Sequence, residues 1–405
     1  MRAPPDAAEF AALMEPLGPF GAAPRFAAGV SGGPHSLALA LLARDFAAAR
    51  GGSVLGLVVD HGLRPGSAVE ADWTVRLLRR LGLEAEVLAL AMPPGAALQE
   101  RARQARLAAL LAACTRHGRP WLLLGQHALD QAETVLFRAL RGSGAAGLAG
   151  MAPLRATAEA LILRPLLGLP PARLETLLAA QGLRPLRDPS NDDPRFARVA
   201  LRQAMRDPGG TGSGTAALVA AAAAFAGRRR GSEAALRARL AAAAVLHPEG
   251  WASLDRAALG RDAVARDALA ALLRMIGGGG HAPATAAVAA LLERGGGTLG
   301  GVLWSGDTLS REPAACAAPV PARPGAVWDG RWRLATVREG GLALEGLVLG
   351  ALGPGRLRRA ERRGLPAPVA AGLPALWRGG ALVGVPALGL GVAAKAEFSP
   401  AGGPI

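Results

Sequence analysis

The stretch RFAAGVSGGPHS, Arg25–Ser36, decides how the chain is read. Arg25–Val30 is short and apolar and reads as a buried strand, Ser31-Gly32-Gly33-Pro34 as a tight turn, and the apolar run from Ser36 to about Arg50 as a helix. Glycines let a backbone come close to a ligand, successive N–H groups make an anion nest, and a helix start adds the positive end of its dipole. Ser31 and Ser36 add hydroxyl donors. The six residues Ser31, Gly32, Gly33, Pro34, His35 and Ser36 therefore form a candidate phosphate cradle. It is not a Walker A loop, because the GK[ST] ending is absent. Taken alone, an ordinary strand–turn–helix connection explains it as well.

Outward from that turn the chain keeps an α/β rhythm. Strands are expected at Ser53–Val59, 84–90 and Trp121–Gly125, and helices at about 67–81, 98–117 and Asp130–Arg141. Alternation of this kind implies a parallel sheet with its reactive groups at the C-terminal ends of the strands. Three polar clusters, 31–36, 60–64 and 126–134, fall at such ends. Beyond them come a glycine-rich loop at Gly142–Gly150, a strand at Leu161–Leu167 and a helix at 170–181. Asp207–Thr215 (DPGGTGSGT) reads as a linker. Alanine- and arginine-rich helical segments follow at 216–245 and about 261–275, then a proline-rich hinge at 313–324 and a last segment of short apolar stretches with glycine turns. The expected division is a catalytic domain at 1–206, a helical domain at 216–312 and a small β-rich module at 325–405.

Composition narrows the partners. The net charge is +15 across 405 residues, and arginine supplies nearly all the positive charge, since Lys395 is the one lysine. Such a balance favours a polyanion, nucleic acid before membrane. The two cysteines, Cys114 and Cys316, lie far apart and form no CxxC pair, which fits a reducing cytoplasm. The N-terminus carries Asp6, Glu9 and Glu15 and does not read as a signal peptide, and no run of ~20 apolar residues reads as a membrane span.

Three further motifs can carry chemistry. In Asp60-His61-Gly62-Leu63-Arg64, Asp60 suits a metal or a ribose and His61 a base, although a satisfied loop histidine is the plainer reading. In Gly125–Thr134 (GQHALDQAET), Asp130 and Glu133 share one face of a helix's first turn, where they either cap the helix or hold Mg²⁺ beside phosphates. In Asp188–Asp193 (DPSNDD), Asn191 is the one asparagine of the chain; a turn-forming role is the alternative. Arg198 and Arg202 follow it, four apart and on one helix face.

In order and spacing, VSGG-x-x-S, VDHGLR, AR-x-x-R (Ala102–Arg106), QH-x-x-DQAET, RGSG-x-x-GL-x-GM (Arg141–Met151), RPLL (Arg164–Leu167) and DPSN-x-D resemble the tRNA(Ile)-lysidine synthase family. The resemblance is close over about residues 25–205. Further on it is confined to layout and the tail Gly372–Trp377. It implies a PP-loop (adenine nucleotide alpha hydrolase-like) parallel-sheet domain, then a helical domain and a small β-rich C-terminal module. It implies ATP and Mg²⁺ as cofactors and free L-lysine and an isoleucine tRNA as substrates, in a cytoplasmic protein for which a homodimer is also compatible. The reaction so implied adenylates the wobble cytidine at C2, and the side-chain amine of lysine then attacks, releasing AMP and pyrophosphate.

Carried onto this chain, the cradle with Asp60 and His61 would bind the nucleotide. Asp130 and His127 would serve catalysis, Asp130 also facing the metal, and Arg103, Arg106, Asn191, Arg198 and Arg202 would position the RNA. Four positions depart from the family pattern. His35 stands where an aspartate is usual, Leu129 where the first of two adjacent aspartates is usual, Ala200 where an arginine is usual, and Leu107 where a tyrosine is usual. The first two remove carboxylates from the nucleotide site. They motivate an alternative, a PP-loop tRNA-binding protein with impaired catalysis. A tRNA thiolase on the same fold ranks last, because paired cysteines are missing.

Overall fold

The computed structural model describes residues 3–62, 66–90, 98–187, 197–337, 345–391 and 394–399. The chain forms two compact units, 1–229 and 230–405.

The first unit opens with α1 (Ala7–Met14) and continues through β1 (Arg25–Gly29), α2 (Pro34–Ala48), β2 (Ser53–Asp60), α3 (Ser67–Arg80), β3 (Glu84–Ala89), α4 (Leu98–Arg116), β4 (Trp121–Leu123) and α5 (Ala128–Leu140). After these come α6 (Ala145–Leu148), β5 (Leu154–Ala156), β6 (Leu161–Leu163), α7 (Pro171–Ala180), α8 (Ala197–Met205) and the first part of α9 (Ser213–Ala243), whose remainder belongs to the second unit. The sheet order is β3-β2-β1-β4-β6-β5, all parallel except β5. β1 lies centrally, with Phe26 opposite Val54 of β2 on one side and Trp121 of β4 on the other. The chain steps outward from β1 through β2 to β3 and then crosses to β4 on the other side, so the order reverses between β1 and β4. The loops that follow these two strands open onto one crevice, the usual ligand position in open α/β sheets.

From Leu37 to Ala43 α2 is apolar at every position because β1 and β2, α1 and α7 cover it there. Leu37, Leu39 and Leu41 are fully buried, and each contributes about 1.5–3 kcal/mol relative to an exposed side chain. Phe20 packs edge to face on Phe26, on Trp121 and on Phe46 of α2 itself.

Three local differences from the sequence reading have physical reasons. β5 pairs antiparallel at the sheet edge with all three residues exposed, so no alternation marks it. Gly142–Gly150 holds the single turn α6. Asp207–Thr215 is an organised cap: Asp207 Oδ1 accepts from Thr211 N at 3.1 Å, and Oδ2 accepts from Gly212 N at 2.8 Å and Thr215 Oγ1 at 2.6 Å.

In the second unit, a five-stranded antiparallel sheet (Ala244–His247, Trp251–Leu254, Thr308–Arg311, Val302–Ser305, Gly297–Leu299) packs on the helices Ala263–Gly277 and Thr285–Arg294. The C-terminal region is antiparallel β, with a five-stranded and a three-stranded sheet around Trp328, Trp332, Leu349 and Leu376. A buried ion cluster joins the two halves of this unit. The Asp329 carboxylate accepts from Arg311 Nε at 2.9 Å and Arg331 Nε at 2.8 Å, and Arg331 also donates to the carbonyls of Gly250 and Gly372. Among the described residues, no helix is long and apolar enough to cross a membrane.

Candidate nucleotide and RNA site

The turn after β1 is built to leave backbone exposed. Gly32 has φ +80°, and a Cβ there would sit 2.5 Å from Thr74 Oγ1 and 2.8 Å from Leu186 Cδ1, so only glycine fits without strain. Gly33, the N-cap of α2, has φ −72°, and a Cβ on it would meet nothing closer than Ser31 Oγ at 3.4 Å. Ser36 Oγ locks the turn: it accepts from Ser31 N at 3.1 Å and donates to Gly33 O at 3.0 Å. Leu186 N closes the far side by donating to Gly32 O at 2.9 Å. The helix start behind the turn leaves N–H groups without intrahelical partners, pointing where an anion would sit.

The segment after β4 lies against this turn. A Cβ on Gly125 would be 3.2 Å from both His35 O and Ser36 Cα, so glycine permits the close approach. His127 is the N-cap of α5 and is only 4% exposed. The Asp130 carboxylate accepts from the His127 N–H at 3.0 Å and lies 3.3 Å from its Nε2. Arg202 of α8 bridges two acids: its Nε bonds Glu133 Oε1, and its Nη2 lies 3.7 Å from Asp130 Oδ1. The His35 and His127 rings meet edge to face with centroids 4.1 Å apart, and Glu175 Oε1 of α7 lies 3.7 Å from His35 Nε2.

Burial pushes the His35 imidazole down to about 3, with His127 adding to the fall, Asp130 opposing it and Arg202 reinforcing it. His127 is likewise lowered, first by burial, with Asp130 opposing. Both rings are neutral at pH 7.

Ser31, Gly32, Gly33, Pro34, His35 and Ser36 thus stand together with His127, and His127 with Asp130. Asp60 ends β2, where its Oδ1 accepts from Gly62 N at 3.0 Å and its carbonyl accepts from Leu90 N at 2.8 Å; His61 follows it, half-buried. Arg103 and Arg106 lie exposed on α4. The field of Arg103 reaches Arg164, whose guanidinium is pushed down to about 10 by burial first and then by Arg155 and Arg103. Arg202 is held by the two acids of α5. Asn191, with the rest of Asp188–Phe196, Arg64 and the side chain of Arg198 lie outside the described residues.

Three contributors lie outside the motifs, and a fourth, Gln131, lies inside one that does not reveal its partner. Thr74 and Leu186 wall the cradle, and Glu175 faces His35 from 140 residues away in sequence. Gln131 pins the glycine-rich loop with two bonds to the Met151 backbone, at 2.7 and 3.0 Å. The pairing of QH-x-x-DQAET with GL-x-GM in one ordered motif set was the only pointer to that last pairing in space.

The sequence matches the PP-loop domain family over residues 4–207. A tRNA(Ile)-lysidine synthase from Ruegeria pomeroyi is 36% identical over 395 residues, covering 92% of this chain and 91% of that protein. A second, from Novosphingobium aromaticivorans, is 43% identical over 207 residues; the match takes in 49% of this chain and 60% of that relative's length, less than two thirds. Among solved structures, the U34-tRNA thiolase NcsA from Methanococcus maripaludis with its [4Fe-4S] cluster aligns with TM-score 0.44 and 16% identity, over 53% of this chain and 78% of that one. With a PP-loop domain over half its length and a relative matched nearly end to end, the chain belongs to the tRNA(Ile)-lysidine synthase family.

Proposed function

We propose that this protein ligates free lysine to C2 of the wobble cytidine of a CAU-anticodon isoleucine tRNA, consuming ATP and releasing AMP and pyrophosphate. The observation that carries the reading is the meeting of the Ser31–Ser36 turn with the first turn of α5 at the reversal of strand order. Backbone N–H groups and the hydroxyl of Ser31 receive the ATP phosphates, with Ser36 holding the turn that presents them. His127 and Asp130, fixed to each other, stand where the adenylated base would be handled. The cytidine O2 attacks the α-phosphorus and pyrophosphate leaves; the lysine amine then bonds C2, and AMP leaves with the oxygen.

The donor set suits a magnesium ion that comes in on the nucleotide's phosphates and keeps its waters. Asp130 already accepts from His127 and faces Arg202, so its remaining lone pairs suit the hydrogens of such waters better than direct ligation. The ion would supply charge neutralisation for the departing pyrophosphate.

Exposed arginines would hold the RNA backbone: Arg228 and Arg230 on α9, and Arg356, Arg358, Arg359 and Arg363 in the C-terminal module. The test is AMP release from ATP by the purified protein, expected only when lysine and the CAU-anticodon tRNA are both present. Asp130→Asn keeps the shape and removes the charge, and should slow release by ~10²–10³. AMP release that ignores tRNA or lysine would overturn the reading.

A further inference from the structure

We propose that Glu175 is a positioning residue for His35, and that His35 Nε2, held between Glu175 and His127, donates as an imidazolium to the phosphates of the bound nucleotide. This rests on the ATP reading above and adds to it a residue outside every recognised motif.

His35 occupies the second position of α2, two residues past the Gly33 cap, and so belongs to the cradle itself. Its Nε2 is buried and has no hydrogen-bond partner. A buried donor without a partner is costly, so His35 Nε2 beside the anion nest marks a place where a ligand's acceptor completes the bonding. The 3.7 Å between His35 Nε2 and Glu175 Oε1 is too long for a hydrogen bond and short enough for an ion pair once the ring is charged.

The groups facing His35 are His127 and Asp130 from α5, Arg202 from α8 and Glu175 from α7. Without a ligand, burial, His127 and Arg202 keep the ring neutral. A polyphosphate brings several negative charges to the same turn and reverses that balance, with Glu175 and Asp130 on its side. The nucleotide then binds together with a proton. A histidine at a position where the family carries aspartate thereby replaces a negative group by one that turns positive when the phosphates arrive.

The test is calorimetry of ATP, with excess magnesium, binding to the full chain at about pH 6 in two buffers of different ionisation enthalpy. Wild type should take up close to one proton per nucleotide. Its affinity should weaken by up to about tenfold per pH unit as pH rises through the bound-state value. Glu175→Gln should cut the uptake by at least half and flatten that dependence, with an unchanged melting temperature; His35→Asn should abolish both. A wild type that binds ATP without proton uptake, or a Glu175→Gln variant equal to wild type, overturns the proposal and leaves the ATP reading standing. A wild type that binds no ATP overturns both.

Discussion

Arg202 in α8 lays its Nε against Oε1 of Glu133 in α5, and Glu133 is 1% exposed. The same guanidinium faces Asp130, so one side chain sets two acids of the nucleotide site and joins α8 to the first turns of α5. Removing one member of a buried pair costs more than the pair itself contributes, because the other charge stays behind. Arg202→Met should therefore destabilise the protein by about 3 kcal/mol in urea unfolding, and adding Glu133→Gln should recover much of the loss. Equal stability of Arg202→Met and wild type would show that the pair is incidental.

Neighbouring glycines in the cradle should fail differently. Gly32→Ala meets Thr74 and Leu186 and forces an L residue to φ +80°, so a loss of about 2 kcal/mol or more is expected. Gly33→Ala has an ordinary φ and room for its Cβ, so the melting temperature should hold while ATP affinity falls. Paired thermal melts and ATP titrations check this, and normal ATP binding by Gly33→Ala would remove the cradle from the phosphate site.

Acid should weaken the ligand-free fold through His35. Its folded value, about 3, lies below its ordinary 6.5, so the unfolded chain takes up the proton first. The His35 contribution is complete above pH 6.5 and is lost as pH falls toward 3, by at most about 1.4 kcal/mol per pH unit. His35→Asn should flatten the stability–pH curve in this window. A curve identical to wild type would mean that the imidazole is already solvated in the folded state.

The arginine clusters make a prediction in salt. Removing one arginine that neutralises a tRNA phosphate should lower the slope of log affinity against log salt by ~0.7–0.9. Changing Arg228, Arg229 and Arg230 to alanine, and separately Arg356, Arg358, Arg359, Arg362 and Arg363, should reduce the tRNA-binding slope in both cases. Unchanged slopes would place the RNA elsewhere on the protein.

The first half of the fold was readable because period and punctuation agree there. Arg25–Ser36 alternates from a buried strand through two glycines to an apolar helix, and the structure follows within a residue or two. The second half is alanine-rich, and alanine marks neither a helix face nor a strand face, so four-residue strands such as Trp251–Leu254 left no pattern. At the site, chain-local neighbours such as Ser31 with Ser36 and His127 with Asp130 were legible from spacing. Glu175 was not, since it is one exposed acid on α7 whose partner, His35, lies on another helix. Arg202 was legible as a basic group, but its pairing with Glu133 across 69 residues was not.

The central place of β1 also bears on the protein's synthesis. Its first partner, β2, follows within about thirty residues, but Phe26 waits for Trp121, 95 positions later. At ribosomal speeds of about 5–20 residues per second, that edge stays open for roughly 5–20 s on the nascent chain. An unpaired apolar strand edge is a template for wrong pairing. Translation rate between codons 26 and 121 therefore sets how long the emerging chain is vulnerable to aggregation.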